Sequence, residues 1–266
     1  MVVSSNNNYL SIREQILIEF EHISDFVWKS HNLIVKEKER ENEIYDLISK
    51  GSEDLLEIAD KRWEYESFKI DKVFPYLINV SNLFTIISVL EHNLLKLAKI
   101  VEKIDNSIML EKISGSGINK LFKYFRQLNI NLETIDKFTQ IQASIKIRNS
   151  FFHASGILIW SKDNIELLNI IKNKTHYTNG SWDSAENEDG DKRHATIKAC
   201  DLGEYLELTH YYTFSLTGYV RDFLKELCNV LSDKYEQSWE ILEMNKGIIT
   251  IIFFKHSLFC YLKNYF

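Results

Sequence analysis

A chain of 266 residues with 45% hydrophobic and 13% aromatic content carries enough apolar surface for one large helical domain or two small ones, which excludes disorder over most of its length. The formal net charge of −6 excludes a globally basic nucleic-acid binder. Three cysteines, Cys200, Cys228 and Cys260, lack C-x-x-C spacing, which excludes a disulfide framework or cysteine zinc site and fits a reducing, cytoplasmic setting.

With one proline and nine glycines, long uninterrupted helices are expected. The first should start near Ser11, placing Ile12, Ile16, Phe20, Ile23 and Val27 on one face. A second, heavily charged helix is expected over about 33–49, with KEKERENE at its centre. Gly51 and Ser52 form a joint, and Ser52 suits the cap of a helix opened by Glu53 and Asp54. Residues 1–72 read as an N-terminal helical extension. They show no basic region followed by a long apolar run, so no secretory leader is expected. The most apolar stretch, residues 248–254, is too short to span a bilayer, and no membrane association is expected.

From Val73 the periodicity sharpens. Pro75 suits the first turn of a helix, where its missing N–H costs nothing. Leu83, Ile87, Leu90, Leu94 and Val101 then recur at three- and four-residue steps. Gly115 and Gly117 precede a short helix over 119–127. Asn131 or a polar neighbour is expected to cap a helix carrying Ile135, Phe138, Ile141, Ile145 and His153. Residues 176–191 combine turn formers with acidic charge, and Asn179-Gly180 signals a loop or small β-hairpin within an insertion around 172–198. A further helix is expected from Asp201 to about Leu231, carrying Tyr205, Leu208, Tyr212, Ser215, Tyr219, Phe223 and Leu227. Residues 232–266 read as a C-terminal packing or interface segment, with helix and strand both open.

The chemistry concentrates in Arg148-Asn149-Ser150-Phe151-Phe152-His153, followed by Gly156. Asn149 and His153 are four apart and share a helix face; Arg148 stands about 140° around from His153. Histidine exchanges protons near neutral pH, arginine makes two directed hydrogen bonds to phosphate, and asparagine orients a neighbour. Those groups suit phosphodiester cleavage, while at least one of Phe151 and Phe152 is expected to bury the helix, with base stacking as the alternative role. Nine Lys or Arg against four Asp or Glu lie between Lys120 and Lys174, a local surplus of +5 that can form a basic face. The eight histidines show no H-E-x-x-H or compact cysteine–histidine spacing, so no metal or other cofactor is expected. The acidic residues Glu186, Glu188, Asp189 and Asp191 lack an EF-hand pattern.

Arg148-Asn149-x-x-x-His153 resembles the R-N-x-x-x-H signature of HEPN domains, helical bundles found in RNA-cutting toxins and phage-defence proteins. The resemblance covers residues 73–231 and implies an all-α HEPN-like bundle. In such proteins a polar or acidic residue of the first core helix often faces the motif, which points to Glu91, three residues from Ser88, as an orienting partner for His153 or Arg148. It further implies metal-independent RNA cleavage by the ribose 2′-hydroxyl, with His153 assisting proton transfer, Arg148 stabilising phosphate charge and Asn149 positioning. A twofold homodimer, a toxin or antiphage role, and an antitoxin or defence-system partner are implied as well. The competing reading is a catalytically silent HEPN-like RNA-binding or protein-interaction scaffold.

Overall fold

The computed structural model describes residues 12–178 and 193–235. Asn179-Gly180, the acidic residues 186–191 and the tail 236–266 lie outside the described residues. Within them the chain is helical apart from one small sheet: α1 (Ile12–Ser49), α2 (Glu53–Phe68), α3 (Phe74–Ile104), α4 (Gly117–Gln127), α5 (Phe138–Ala154), α6 (Asn164–Lys172), strands β1 (Thr196–Cys200) and β2 (Gly203–Glu207), and α7 (His210–Lys234).

Three boundaries differ from the periodicity reading, one of them the start of α5, which lies at Phe138 after Lys137 rather than near Asn131, so that Ile135 falls outside the helix. The two helices expected over residues 11–49 are one, α1. No glycine or proline interrupts the join, and Ser30 turns its hydroxyl back to the Val27 carbonyl (2.8 Å) rather than capping a new start. Pro75 falls in the first turn of α3, as expected, although the backbone runs on from α2 through a π-helical turn, Lys69–Val73. There the Phe74 N–H bonds the Lys69 carbonyl, five residues back. A proline lacks the N–H and crowds the carbonyl four residues earlier, and a widened turn accommodates both. The third difference is the start of α7, at His210 rather than Asp201. The Thr209 hydroxyl accepts the Tyr212 N–H (3.2 Å), an N-cap bond, while Asp201 and Leu202 form the turn of the hairpin.

The joined stretch Glu53–Ile104 is, among the described residues, the one helix long and apolar enough by composition to match a membrane span, with 33% of its apolar window buried. Central helices of soluble bundles share that composition.

The chain forms two compact units, and α1, α3 and α7 contribute residues to both. The first holds described residues 12–19, 91–135 and 223–235. Its interior gathers Ile16, Leu94, Val101, Phe125, Leu132 and Leu227, all essentially solvent-free. Phe122 meets Phe223 edge-on, with ring centroids 6.3 Å apart. Asn93 donates to Glu19 (2.8 Å), and the Leu110 N–H donates to Glu102 (2.7 Å), which pairs these four groups at the unit's core edge.

The second unit holds described residues 20–90, 136–178 and 193–222. Here α1 and α2 fold back on each other around Gly51. Arg62 of α2 grips Glu41 of α1 with bonds of 2.7, 3.0 and 3.1 Å, and Tyr45 donates to Asp60 (2.8 Å). Burial alone would raise the Glu41 carboxyl, but hydrogen bonds and charge from Arg62 and Arg40 outweigh it and hold it below the ordinary range. The sheet is an antiparallel hairpin with Cys200 opposite Gly203 and Thr196 opposite Glu207. It is no detached excursion: the Leu206 N–H donates to the Gly156 carbonyl (2.9 Å), and Ile157 bridges Tyr205.

Candidate functional site

The rotation of α5 is set by what it buries. Phe138, Ile141, Ser144, Ile145, Ile147, Ser150, Phe151 and Ala154 point inward. Two buried hydroxyls lock that orientation: Ser144 shares a hydrogen bond with Tyr212 (2.9 Å), and Ser150 one with Ser161 (2.6 Å). Each is satisfied only at one setting of the helix. What remains outside over the last two turns is Arg148 and Asn149, half-buried, and Phe152 and His153, exposed.

These four form two side-by-side i,i+4 pairs, Arg148 with Phe152 and Asn149 with His153. The structure therefore carries the three motif side chains Arg148, Asn149 and His153 on one outward strip of one helix. Among the described residues no hydrogen bond or ion pair engages any of the three side chains. Lys146, two residues before the motif, instead pairs with Glu166 of α6. An arginine, an amide and an imidazole left open together are available to a ligand, whereas Lys146 is already neutralised.

The end of α5 is built to hold this strip still. Ser155 and Gly156 take left-handed backbone angles (φ 52° and 79°), and their N–H groups return to the carbonyls of Phe151 and Ser150 (3.1 and 3.2 Å). Ser161 ties the following loop back through the Ile157 carbonyl (3.0 Å).

The two phenylalanines separate. Phe151 is buried and meets Tyr76 with centroids 6.3 Å apart, as expected of a core residue. Phe152 is not a core residue: 66% of its surface is exposed. Its ring lies edge-on to the His153 imidazole (4.8 Å, 88°), with Phe84 of α3 at 6.1 Å. Residues 151 and 152 sit about 100° apart on the helix, so a buried neighbour turns the next ring outward. Ser88, one turn beyond Phe84, is exposed.

Glu91 belongs to the first unit and is half-buried. Its Oε1 would stand 3.5 Å from a Cβ placed on Gly117, the first residue of α4, so the carboxylate faces that helix's positive end. The basic segment is divided: residues 120–135 lie in the first unit and 136–174 in the second. Arg126, Lys137 and Lys146 are paired with Glu133, Asp136 and Glu166.

Other histidines have structural occupations. His176 is buried, donates from Nδ1 to the Ile170 carbonyl (3.3 Å) and accepts the Ala195 N–H at Nε2 (3.0 Å). Burial lowers it to about 4 despite the Ile170 bond. His31 and His210 stack face to face at 3.5 Å. Burial, with the charge of His31, lowers His210 to about 4. Among the described residues no three His, Cys, Asp or Glu side chains converge as a metal-ligand set. No family model, curated protein or solved structure matches the chain.

Proposed function

We propose that the chain is a HEPN-like endoribonuclease whose reaction needs no metal. One observation carries the reading: Arg148, Asn149 and His153 share an outward strip at the end of α5, and none of the three side chains makes a hydrogen bond or ion pair among the described residues. A structural network would have consumed these groups, since a half-buried guanidinium ordinarily finds an anion within the fold.

In the proposed reaction the ribose 2′-hydroxyl attacks the adjacent phosphorus, and the bond to the 5′-oxygen of the next nucleotide breaks. His153 moves a proton, from the attacking hydroxyl or to the departing oxygen. Arg148 holds the phosphate oxygens as negative charge develops, and Asn149 orients the imidazole or the phosphate. The products are a 2′,3′-cyclic phosphate, or its opened form, and a 5′-hydroxyl. DNA, lacking the nucleophile, survives. A homodimer presenting two motifs to one RNA, serving as a toxin or antiphage effector held by a partner, completes the proposal. Glu91 enters it only as a separately testable orienting residue.

The test compares wild type and His153→Ala on mixed cellular RNA in EDTA, with cleavage ends mapped. Cleavage by wild type alone, with cyclic phosphate ends and matching circular dichroism of both proteins, is the expected result. RNA binding without cleavage by either protein would move the assignment to a silent scaffold.

A further inference from the structure

Among the large apolar side chains left exposed, Phe152 is the one beside the motif groups Arg148 and His153 on α5. It stands in the last turn of a helix whose neighbouring positions 151 and 154 are buried, yet 66% of its surface faces solvent. Leaving a phenylalanine ring in water forgoes roughly 2 kcal/mol of burial. The ring is nonetheless held in place, edge-on to His153 at 4.8 Å and backed by Phe84 at 6.1 Å. One turn before it on the same strip is Arg148, whose guanidinium has no partner among the described residues.

We propose, resting on the nuclease reading above, that Phe152 is the stacking platform for an unpaired base beside the scissile linkage, so that the substrate is single-stranded RNA. The pairing of groups selects this occupant. An apolar protein surface laid over Phe152 would also cover Arg148 and strip its water without supplying an anion. A nucleotide brings a phosphate for the cation and a flat face for the ring, at adjacent positions of one molecule. A base stacked within a duplex has no face to offer, so the arrangement discriminates by strandedness rather than by sequence.

The probe is a short oligodeoxynucleotide, uncleavable by the proposed route, offered intact, with one abasic position, or annealed to its complement. Wild type is compared with Phe152→Ala, Phe152→Leu and Phe152→Tyr, and sedimentation is run in parallel. Phe152→Ala and Phe152→Leu should weaken single-strand binding by about 5- to 100-fold, whereas Phe152→Tyr retains it. The abasic probe should bind wild type as weakly as the intact one binds Phe152→Ala, and the duplex should bind poorly throughout. Equal binding by wild type and Phe152→Ala overturns the proposal, as does a dimer that falls to monomer in Phe152→Ala, which assigns the ring to a protein interface. The failures are separable: Phe152-dependent binding without RNA cleavage sinks the nuclease reading alone, and cleavage indifferent to Phe152 sinks the platform alone.

Discussion

Gly156 lies directly beneath the ring of Phe151: a Cβ at this position would sit 2.8 Å from Phe151 Cε1. The backbone there is left-handed as well, at φ 79°. Gly156→Ala therefore meets two costs, about 1–2 kcal/mol of left-handed strain and about 1–3 kcal/mol for displacing a packed ring. Urea unfolding should show a loss on the order of 3 kcal/mol. Because Phe151 anchors the strip that carries His153, RNA cleavage should also fall at temperatures where the variant is folded. A Gly156→Ala protein as stable as wild type would mean that Phe151 and Gly156 are not packed this way.

Acid should destabilise the second unit well before carboxylates titrate. His176 and His210 sit at about 4 in the folded chain, against 6.5 for an unperturbed imidazole. The unfolded chain thus binds protons first as pH falls. The stability tied to these rings is complete above about pH 6.5, declines as pH drops towards 4, and levels off below. Each ring accounts for at most roughly 3 kcal/mol. Urea midpoints at pH 7.5, 6 and 5 should fall in that order. His210→Phe, which keeps a ring against His31, should flatten the dependence; an unchanged slope would remove His210 from the account.

How far the sequence foretold the site follows from helix geometry. The apolar spacing of Phe138, Ile141 and Ile145 located α5, and the motif put Asn149 and His153 on one face. Which of two successive phenylalanines turns inward was not readable, because the answer lies in the partners of Ser144 and Ser150, Tyr212 and Ser161, distant or beyond the helix end. The hairpin over residues 196–207 escaped the sequence reading for a similar reason: its turn, Asp201-Leu202, is a weak turn signal, and the strands are held by a tertiary bond from Leu206 to Gly156. Asp201 also mimics a helix cap, and only the Thr209 bond reveals the true start of α7. Pro75 does mark the first turn of α3, but the π-helical turn that joins it to α2 is not written in any residue pattern.

The α1–α2 pair should respond unequally to loss of its two charges. The Glu41 side chain is 3% exposed and that of Arg62 is 43% exposed. Arg62→Leu strands a buried carboxylate, with only Arg40 nearby at 3.3 Å, while Glu41→Leu leaves a guanidinium that water can reach. Thermal unfolding should place Arg62→Leu well below Glu41→Leu. The reverse order would show that Glu41 is hydrated in solution.

Glu91→Gln separates two roles. The carboxylate faces the N-terminus of α4 at Gly117, a placement worth about 0.3–1 kcal/mol in the helix dipole. The expected outcome is a stability loss of that size with the pH profile of RNA cleavage unmoved. A displaced profile at unchanged stability would instead make Glu91 the residue that orients His153.

The two cations of α5 should behave differently towards RNA. Lys146 is already paired with Glu166, so releasing it to a phosphate must first break that ion pair, and Lys146→Gln should alter binding little. Arg148 has no such competitor among the described residues. Removing it by Arg148→Gln should lower RNA affinity and reduce the slope of log affinity against log salt by about 0.7, the signature of one lost phosphate contact on a single strand. Arg148→Lys keeps the charge but loses the planar fork, so the salt slope should be preserved while cleavage drops, because a single ammonium holds two phosphate oxygens poorly in the transition state. If Arg148→Gln leaves the slope unchanged and Lys146→Gln reduces it, the phosphate lies on the Lys146 face of α5, about 200° around from Arg148, and the outward strip ending at His153 is not where the RNA backbone runs.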